Sequence, residues 1–328
     1  MKIGIPRALL YYYYGPFWEK FFTELNIDVV VSDETSKELI DMGIKESVPE
    51  ICVPIKIFVG HALNLVKKEV DYIFVPRMVS IYPGEYFCPK FMGLPDLMRH
   101  GVKNIEDKIL TCHINSDDDD ISDYKNYLSL AEKLGVTDEQ IKDAANVAGQ
   151  HWRKFRTYNK MGYTVPEAID IVNGKKEIYG PIKSEAKMKI AVIGYVYNIY
   201  DNFVNMGVID KFRELNVEFV TFDMLQEDVI AAEIADMEKR MFWTFTNILL
   251  GTGYNLIADD SVDGTIHFTA FGCGPDSFLT RLYELRSEEY GKPFMVVRID
   301  EHTGENHLLT RIEAFVDMIK RKKSRVLN

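Results

Sequence analysis

Residues 268–277 have the sequence Phe-Thr-Ala-Phe-Gly-Cys-Gly-Pro-Asp-Ser, and this stretch decides the fold expected around it. It closes a β-type run, Thr265–Phe271, with a cysteine that has a glycine on either side. Such glycines allow a tight turn and leave room beside the sulfur, and the proline suits the first turn of a helix. Apolar residues then recur at helical spacing and predict the apolar face of that helix: Phe278, Leu279, Leu282 and Leu285. The sequence thus predicts Cys273 at a helix N-terminus, where the helix dipole favours thiolate over thiol.

Two other cysteines have similar neighbours, Cys52 in Glu-Ile-Cys-Val-Pro and Cys88 in Tyr-Phe-Cys-Pro. Three thiolates at three strand-to-helix turns indicate a metal site. Structural zinc usually takes cysteines in pairs about two to four residues apart, whereas these cysteines are 36 and 185 residues apart. The spacing suits an iron–sulfur cluster, with ordinary buried cysteines as the alternative. Cys112 has neither glycine nor proline beside it; we expect a small core residue there, with a fourth ligand as the alternative.

The bulk composition is that of a globular protein, with 47% hydrophobic and 27% charged residues among 328. The formal net charge of −11 argues against nucleic acid or an anionic membrane as the partner. The chain has no apolar run of transmembrane length and no signal peptide pattern. We therefore expect a cytoplasmic protein. In that reducing compartment, four cysteines favour metal binding or catalysis over disulfides.

Strand-like and helix-like segments alternate along the chain, and the strands are continuous apolar runs. This pattern is typical of parallel sheets covered on both faces. We predict an α/β protein with two doubly wound domains, 1–116 and 187–328, and a helical segment and linker at 117–186. Because ligands bind at the carboxyl ends of parallel strands, a shared metal is expected in the cleft between the domains.

Local patterns give four further expectations. The run Thr35–Met42 predicts a helix that ends at Gly43. The four acids Asp117–Asp120 lack the spacing of a calcium loop and predict a solvated linker. His61 lies on the face of a predicted helix and is expected to be structural, whereas His302 follows a strand end and is the better candidate for a functional histidine.

Several motifs together resemble the superfamily of 2-hydroxyacyl-CoA dehydratases and benzoyl-CoA reductases. Within it, they are similar to the uncharacterised domain associated with CoA-enzyme activases. The resemblance covers both ends of the chain and rests on these segments: Ile5-Pro6-Arg7-Ala8-Leu9, Glu50-Ile51-Cys52-Val53-Pro54-Ile55-Lys56, Gly60-His61, Phe87-Cys88-Pro89-Lys90, Phe271-Gly272-Cys273-Gly274-Pro275-Asp276-Ser277 and Asp300-Glu301-His302-Thr303-Gly304-Glu305.

The resemblance implies a flavodoxin-like fold for the two domains and a [4Fe–4S] cluster held by Cys52, Cys88 and Cys273. It leaves one iron open or bound by a ligand other than cysteine. It also implies that electrons come from an ATP-dependent activator protein, which is itself a cluster protein. The chain is shorter than dehydratase subunits usually are, and its sequence shows no acyl-CoA pocket.

Other residues are expected to surround the cluster. Arg7 and Lys56 would place positive charge at the same rim, and Gly272 and Gly274 would give the cluster room. An acidic group near an anionic cluster is unfavourable because like charges repel, unless the group is paired, protonated or functional. A salt bridge is one explanation, and proton donation by Glu50 or His302 is the other, since reduction at iron consumes protons.

Two functional hypotheses stay open. In the first, the chain is an enzyme in which the open iron passes low-potential electrons to an acyl-CoA or another small molecule, as in reductive dehydration. In the second, the chain carries electrons or a cluster for the activator and is not catalytic. A minor alternative is a metal-free protein that binds a small ligand. A dimer is compatible with each hypothesis.

Overall fold

The structure is a computed structural model that describes residues 1–178, 180, 186–235, 237–301 and 305–326. The chain packs into two compact units. The first comprises Met1–Asn159, Thr164–Ile178 and Met241–Thr244, and the second comprises Lys160–Tyr163, Tyr179–Arg240 and Phe245–Asn328. The division at 1–116, 117–186 and 187–328 stays a prediction.

The first unit contains six strands and eight helices among its described residues. Their bounds are β1 Lys2–Ile5, α1 Tyr11–Glu24, β2 Asp28–Val31, α2 Lys37–Glu46, α3 Val53–Lys67, β3 Tyr72–Phe74, β4 Arg77–Ser80, α4 Pro89–Met92, α5 Leu94–Gly101, β5 Ile109–Leu110, β6 His113–Asn115, α6 Ala131–Leu134, α7 Asp138–Lys160 and α8 Val165–Val172. Short 3-10 turns cover Glu106–Lys108 and Tyr124–Leu130. The last residue of α7 belongs to the second unit.

The second unit alternates strands and helices in the same way. Its elements are β7 Lys189–Gly194, α9 Val196–Tyr200, α10 Val208–Glu214, β8 Glu218–Val220, α11 Glu227–Glu233, α12 Thr244–Ala258, β9 Gly264–Ala270, α13 Gly274–Glu289, β10 Phe294–Ile299 and α14 Glu305–Val326, with a 3-10 turn at Phe222–Met224. The predicted strand Thr265–Phe271 thus ends one residue earlier, at Ala270.

Each unit is built on a four-stranded sheet in which every pairing is parallel. The order is β2-β1-β3-β5 in the first unit and β10-β9-β7-β8 in the second. The two sheets share one topology. If the four strands of each sheet are numbered in chain order and the second sheet is read from its β8 edge, both have the order second, first, third, fourth. The two remaining strands, β4 and β6, form a parallel pair. The predicted α/β class with doubly wound parallel sheets is confirmed.

The aromatic helix α1 forms the core of the first unit. Tyr14, Phe17 and Phe21 of this helix are completely buried. Trp152 of α7 stacks on Tyr14 with ring centroids 5.7 Å apart, and its Nε1 donates to the carbonyl oxygen of Tyr13 at 2.9 Å. The long helix α7 is thus held on α1 by burial and by a directed hydrogen bond.

The expectation of a fully solvated acid run is wrong for its third member. Asp119 is half-buried and accepts a hydrogen bond from the Tyr13 hydroxyl at 2.6 Å, while its carbonyl oxygen accepts one from Tyr14 at 3.0 Å. Asp120 pairs with Arg153 of α7. The run fastens α1 and α7 together because buried tyrosine hydroxyls need acceptors.

The prediction that Gly43 ends a helix is also wrong, since α2 continues to Glu46. A Cβ at Gly43 would collide with the carbonyl oxygen of Lys56, and one at Gly60 would collide with that of Leu39. The two glycines therefore allow α2 and α3 to approach until backbone meets backbone. This close approach fixes the helix that follows Cys52.

A short strap from late in the chain, residues 241–244, packs on the first unit. The Tyr86 N–H donates to the Phe242 carbonyl and the Thr244 N–H donates to the Tyr86 carbonyl, both at 2.9 Å. The rings of Tyr86 and Phe242 stack with centroids 5.2 Å apart. The strap thereby holds the backbone two residues before Cys88.

Within the part of the chain described, no helix has both the length and the apolar character needed to cross a membrane.

Candidate metal centre

Cys52 and Cys88 occupy matching positions in the first unit. Cys52 is the N-cap of α3 with φ −65° and ψ 149°, and Cys88 is the N-cap of α4 with φ −62° and ψ 154°. A proline follows each in the first helical turn, at Pro54 and Pro89. Neither sulfur caps its helix with a hydrogen bond. Both sulfurs lie at helix starts, and the backbone N–H groups of Phe91 and Lys90 lie near that of Cys88.

The surroundings of the Cys88 thiol shift its pKa. Burial raises the pKa of Cys88, the backbone N–H groups of Phe91 and Lys90 lower it, and negative charge on Cys52 raises it again. The charge of Cys52 is thus among the smaller causes of the Cys88 shift, and the Cys88 thiol holds its proton more firmly than a free thiol. A cation bound to this sulfur would have to displace that proton.

Cys273 has the same kind of position in the second unit. The wholly buried strand β9 ends at Ala270, Gly272 takes a left-handed φ of 79°, and Cys273 is the N-cap of α13. A Cβ at Gly274 would meet no atom within 4 Å. The predicted helix N-terminus is present, and room for a group beside the sulfur stays a prediction.

The apolar face predicted for the following helix is wrong in part. Leu279 is buried, but Phe278 is 53% exposed and Leu285 is 47% exposed. The face that packs on the sheet carries polar side chains as well, and its buried members are Asp276, Leu279, Thr280, Tyr283 and Ser287. Counting apolar residues could not identify a face that is half polar.

The structure places the remaining candidates of the first unit as follows. Arg7 follows β1; its N–H donates to Ser32 Oγ at 2.7 Å and its guanidinium lies 3.6 Å from the Glu34 carboxylate. Lys56 is buried in the first turn of α3, and Glu50 is exposed in the turn before Cys52. Lys56 and Glu50 thus flank Cys52 in sequence, and their roles stay predictions.

Two other residues considered in the sequence analysis are Cys112 and His302. Cys112 is completely buried, and burial raises the pKa of its thiol. Complete burial is what the expected core role requires of this small side chain. His302 lies outside the described residues.

Among the described residues, no three His, Cys, Asp or Glu side chains lie close enough together to hold a metal ion. The first unit supplies two thiols, Cys52 and Cys88, and the second unit supplies Cys273.

A buried pair that the sequence did not suggest lies beside Cys273. His267 of β9 and Asp276 of α13 are both completely buried, with Nε2 and Oδ1 2.8 Å apart. The single sequence signal was an acid three residues after the cysteine, at the third position of the helix.

Comparison with known families agrees with the resemblance found in the sequence. The CoA enzyme activase uncharacterised domain matches residues 2–225, about two thirds of the chain. The D-component of 2-hydroxyglutaryl-CoA dehydratase matches residues 176–319, a segment that includes Cys273. No curated protein sequence matches the chain.

Proposed function

Because the chain belongs to the family of the CoA enzyme activase uncharacterised domain, we propose that it is an iron–sulfur component of the 2-hydroxyacyl-CoA dehydratase type. The observation that carries the proposal is that Cys52 and Cys88 are the N-caps of two helices of the first unit with the same backbone geometry. Cys273, the third proposed ligand, has the same N-cap position and lies in the segment similar to a dehydratase component.

By their chemistry, the three cysteines would suit a [4Fe–4S] cluster. Three soft thiolates are its usual ligands. The N-terminus of the 15-residue α3 and that of the 16-residue α13 present positive dipole ends toward Cys52 and Cys273. Gly272 and Gly274, which have no side chains, would leave room for the cluster beside the third sulfur. When bound, the cluster would supply low-potential electrons and one iron without a cysteine ligand.

The proposal also assigns roles to four residues expected near the three cysteines. Arg7 and the buried Lys56 would offset negative charge, which raises the reduction potential of a bound cluster. Glu50, exposed before Cys52, and His302 would donate protons if the chain is catalytic. The electron donor would be an ATP-dependent activator protein, and the substrate an acyl-CoA or another small molecule.

A carrier function is the second candidate, and a specific observation favours it. The family that covers most of the chain is a domain associated with activases, and the similarity to a dehydratase component is confined to residues 176–319. The two functions differ in one measurement on reduced protein. An acyl-CoA that changes the electron paramagnetic resonance spectrum identifies the enzyme, and reduction by the activator without any such change identifies the carrier.

The proposal predicts the metal content of the protein. Anaerobic purification should give a brown protein with about four iron and four sulfide per chain. Cys88→Ser and Cys273→Ser should each lose most of that iron, because a three-thiolate site then keeps only two thiolates. Iron, sulfide and zinc analysis together check this.

Cys112→Ser is the matched control, since it removes a thiol that is completely buried in the core. It should keep the iron of the unaltered protein. Stoichiometric zinc after anaerobic reconstitution, or equal iron in Cys88→Ser and Cys112→Ser, would contradict the proposal.

A further inference from the structure

The second unit contains a cavity that the proposed function does not use. Its volume is about 330 Å³, and it is open to solvent. The cavity lies where the strands β9 and β10 begin, at the opposite end of β9 from the turn that carries Cys273. Its size is within the range of small-molecule pockets, which runs from about 300 to 1,000 Å³.

Part of the cavity lining is apolar. Val262 and Ile319 are almost completely buried, at 2% and 1% exposed, and Pro293 lies beside them in the lining. Tyr290 is 45% exposed, and the guanidinium of Arg286 lies 4.5 Å from the centroid of its ring. Buried aliphatic side chains next to a half-exposed ring form a surface suited to the apolar part of a ligand.

The lining also contains one neutralised pair of charges, Lys323 and Asp263. Lys323 Nζ lies 2.7 Å from Asp263 Oδ1, and it donates to the Lys187 carbonyl oxygen at 2.8 Å. Asp263 Oδ2 accepts a hydrogen bond from the Lys189 N–H at 2.9 Å. Both oxygens of this carboxylate therefore have partners, and Asp263 is not available to the other cations of the cavity.

Two further lysines of the lining, Lys292 and Lys322, have no carboxylate partner. Lys292 Nζ donates to the Asp259 carbonyl oxygen, and Lys322 Nζ donates to that of Gly291 at 2.7 Å. In the described part of the chain, neither ammonium group lies within ion-pair distance of a carboxylate. A chain with 50 acidic and 39 basic residues has acids to spare, so two unpaired ammonium groups at one cavity call for an explanation.

Helix capping explains only part of this arrangement. Lysines near the C-terminus of a helix can donate to its last carbonyl groups, and the two carbonyls that accept here follow the ends of α12 and α13. An ammonium group has three donors, and each carbonyl oxygen uses one of them. Capping therefore leaves donors unused on both Lys292 and Lys322, and it does not require that both line the same cavity.

The ammonium group of Lys292 is also partly removed from water. Burial is the main cause that shifts its pKa, in the downward direction, while the charges of Asp259, Asp260 and Asp263 raise the pKa. An ion pair is stronger where water is partly excluded, because the effective dielectric constant is lower. An anion at this position would thus be held more firmly than at an exposed lysine.

The surroundings favour a singly charged anion over phosphate. The ends of α12 and α13 carry partial negative charge, and Asp259 and Asp260 add full charges nearby. These groups repel a dianion more than a monoanion. Among the described residues of the lining there is neither an arginine nor the first turn of a helix, which are common ligands of phosphate.

We propose that this cavity is a binding site for a monocarboxylate that has an apolar body. The carboxylate accepts hydrogen bonds from the ammonium groups of Lys292 and Lys322, and the apolar body lies on Val262 and Ile319. Binding places one negative charge between two positive charges and removes apolar surface from water. The site needs neither a metal nor a redox group, and it does not depend on the proposed function.

Octanoate is a probe with this chemistry, and calorimetric titration of the purified full chain measures its binding. We expect a dissociation constant of about 1 mM or below, as for a small ligand of good efficiency. Three comparison ligands should bind at least about tenfold more weakly: 1-octanol lacks the charge, acetate lacks the apolar body and inorganic phosphate carries a larger charge. Octanol that binds as tightly as octanoate, or octanoate that does not bind, overturns the proposal.

Lys322→Met removes one of the two ammonium groups from an exposed position of α14. Octanoate should then bind about tenfold more weakly, the effect of losing a hydrogen bond between charged groups. Lys320→Met is the matched control on the same helix, because Lys320 pairs with Asp317 and is not part of the lining. It should bind octanoate as the unaltered protein does, and equal affinities in the two variants would contradict the site.

Chemical labelling of the unaltered protein gives a readout that needs no variant. Octanoate should slow the acetylation of Lys292 and Lys322 by acetic anhydride, measured by mass spectrometry of peptides. The rate at Lys320 should stay the same. If octanoate protects none of these lysines, or all three equally, it does not bind in this cavity and the proposal is wrong.

Discussion

Gly60→Ala is expected to lower the free energy of unfolding of the first unit by about 3 kcal/mol or more, at the upper end of overpacking effects. The added methyl group would enter the backbone of α2 at Leu39, and a carbonyl group cannot rotate away as a side chain can. The helices α2 and α3 must separate instead, and contacts along both helices are lost. For a unit of this size the melting temperature should fall by about 6 °C or more.

Thermal unfolding followed by circular dichroism measures this effect. Gly101→Ala is the matched control: Gly101 is the last residue of α5, and a Cβ there meets no atom within 4 Å. It should leave the melting temperature unchanged or raise it slightly, because alanine is the better helix former. Equal melting temperatures for the two variants would mean that α2 and α3 are not held at backbone contact.

Acid should destabilise the first unit through His61. This histidine is completely buried, with Ser32 Oγ 2.8 Å from Nδ1 and Thr35 Oγ1 2.9 Å from Nε2. Burial is the main cause that lowers its pKa from 6.5 to about 3; the Arg7 charge lowers it further and Asp33 opposes this. The neutral ring is therefore the folded form.

The direction of the pH effect follows from these two pKa values. Below about pH 6.5 the unfolded chain binds a proton at this histidine and the folded chain does not, so stability is lost as the pH falls toward 3. Each unit corresponds to about 1.4 kcal/mol. Between pH 6.5 and 4.5 this one group should therefore remove about 3 kcal/mol.

Denaturant unfolding of the unaltered protein and of His61→Gln across this range isolates the effect. Glutamine can still bond to a hydroxyl but does not titrate. It should be less stable at neutral pH and lose less stability on acidification, so the two profiles converge. Asp96, whose pKa is lowered mainly by Arg77, is not among the groups that act on His61 and titrates equally in both proteins. Parallel profiles would show that His61 is protonated in the folded state.

What the sequence predicted correctly depends on short-range rules. Glycine and proline next to Cys273 act within a few residues, and the structure places that cysteine as an N-cap, as expected. Continuous apolar runs likewise identified the eight strands of the two four-stranded sheets, but not the short parallel pair β4 and β6. Cys52 and Cys88 are N-caps as well, but the predicted strand-to-helix turn is wrong for Cys52, because helix α2 and not a strand precedes it.

The errors concern contacts between distant segments. Gly43 resembles a helix end, but its role is set by the carbonyl of Lys56 on another helix. Asp119 resembles a solvated acid because the tyrosines that bind it are more than 100 residues earlier in the chain. The His267–Asp276 pair spans a strand, a turn and a helix start, and neither residue alone distinguishes a buried pair from a polar surface. The spacing of residues along the sequence does not show which distant segments will be in contact.

The position of the strap at residues 241–244 has a consequence for the synthesis of the protein on the ribosome. Apart from this strap, the first unit is complete at Ile178, and the strap is translated 66 residues later (244 − 178). At about 5–20 residues per second, this gap lasts roughly 3–13 seconds. During that interval the nascent chain presents the Tyr86 backbone, next to Cys88, without its partners Phe242 and Thr244. The loop that carries Cys88 therefore gains these two hydrogen bonds only after about three quarters of the polypeptide has been made.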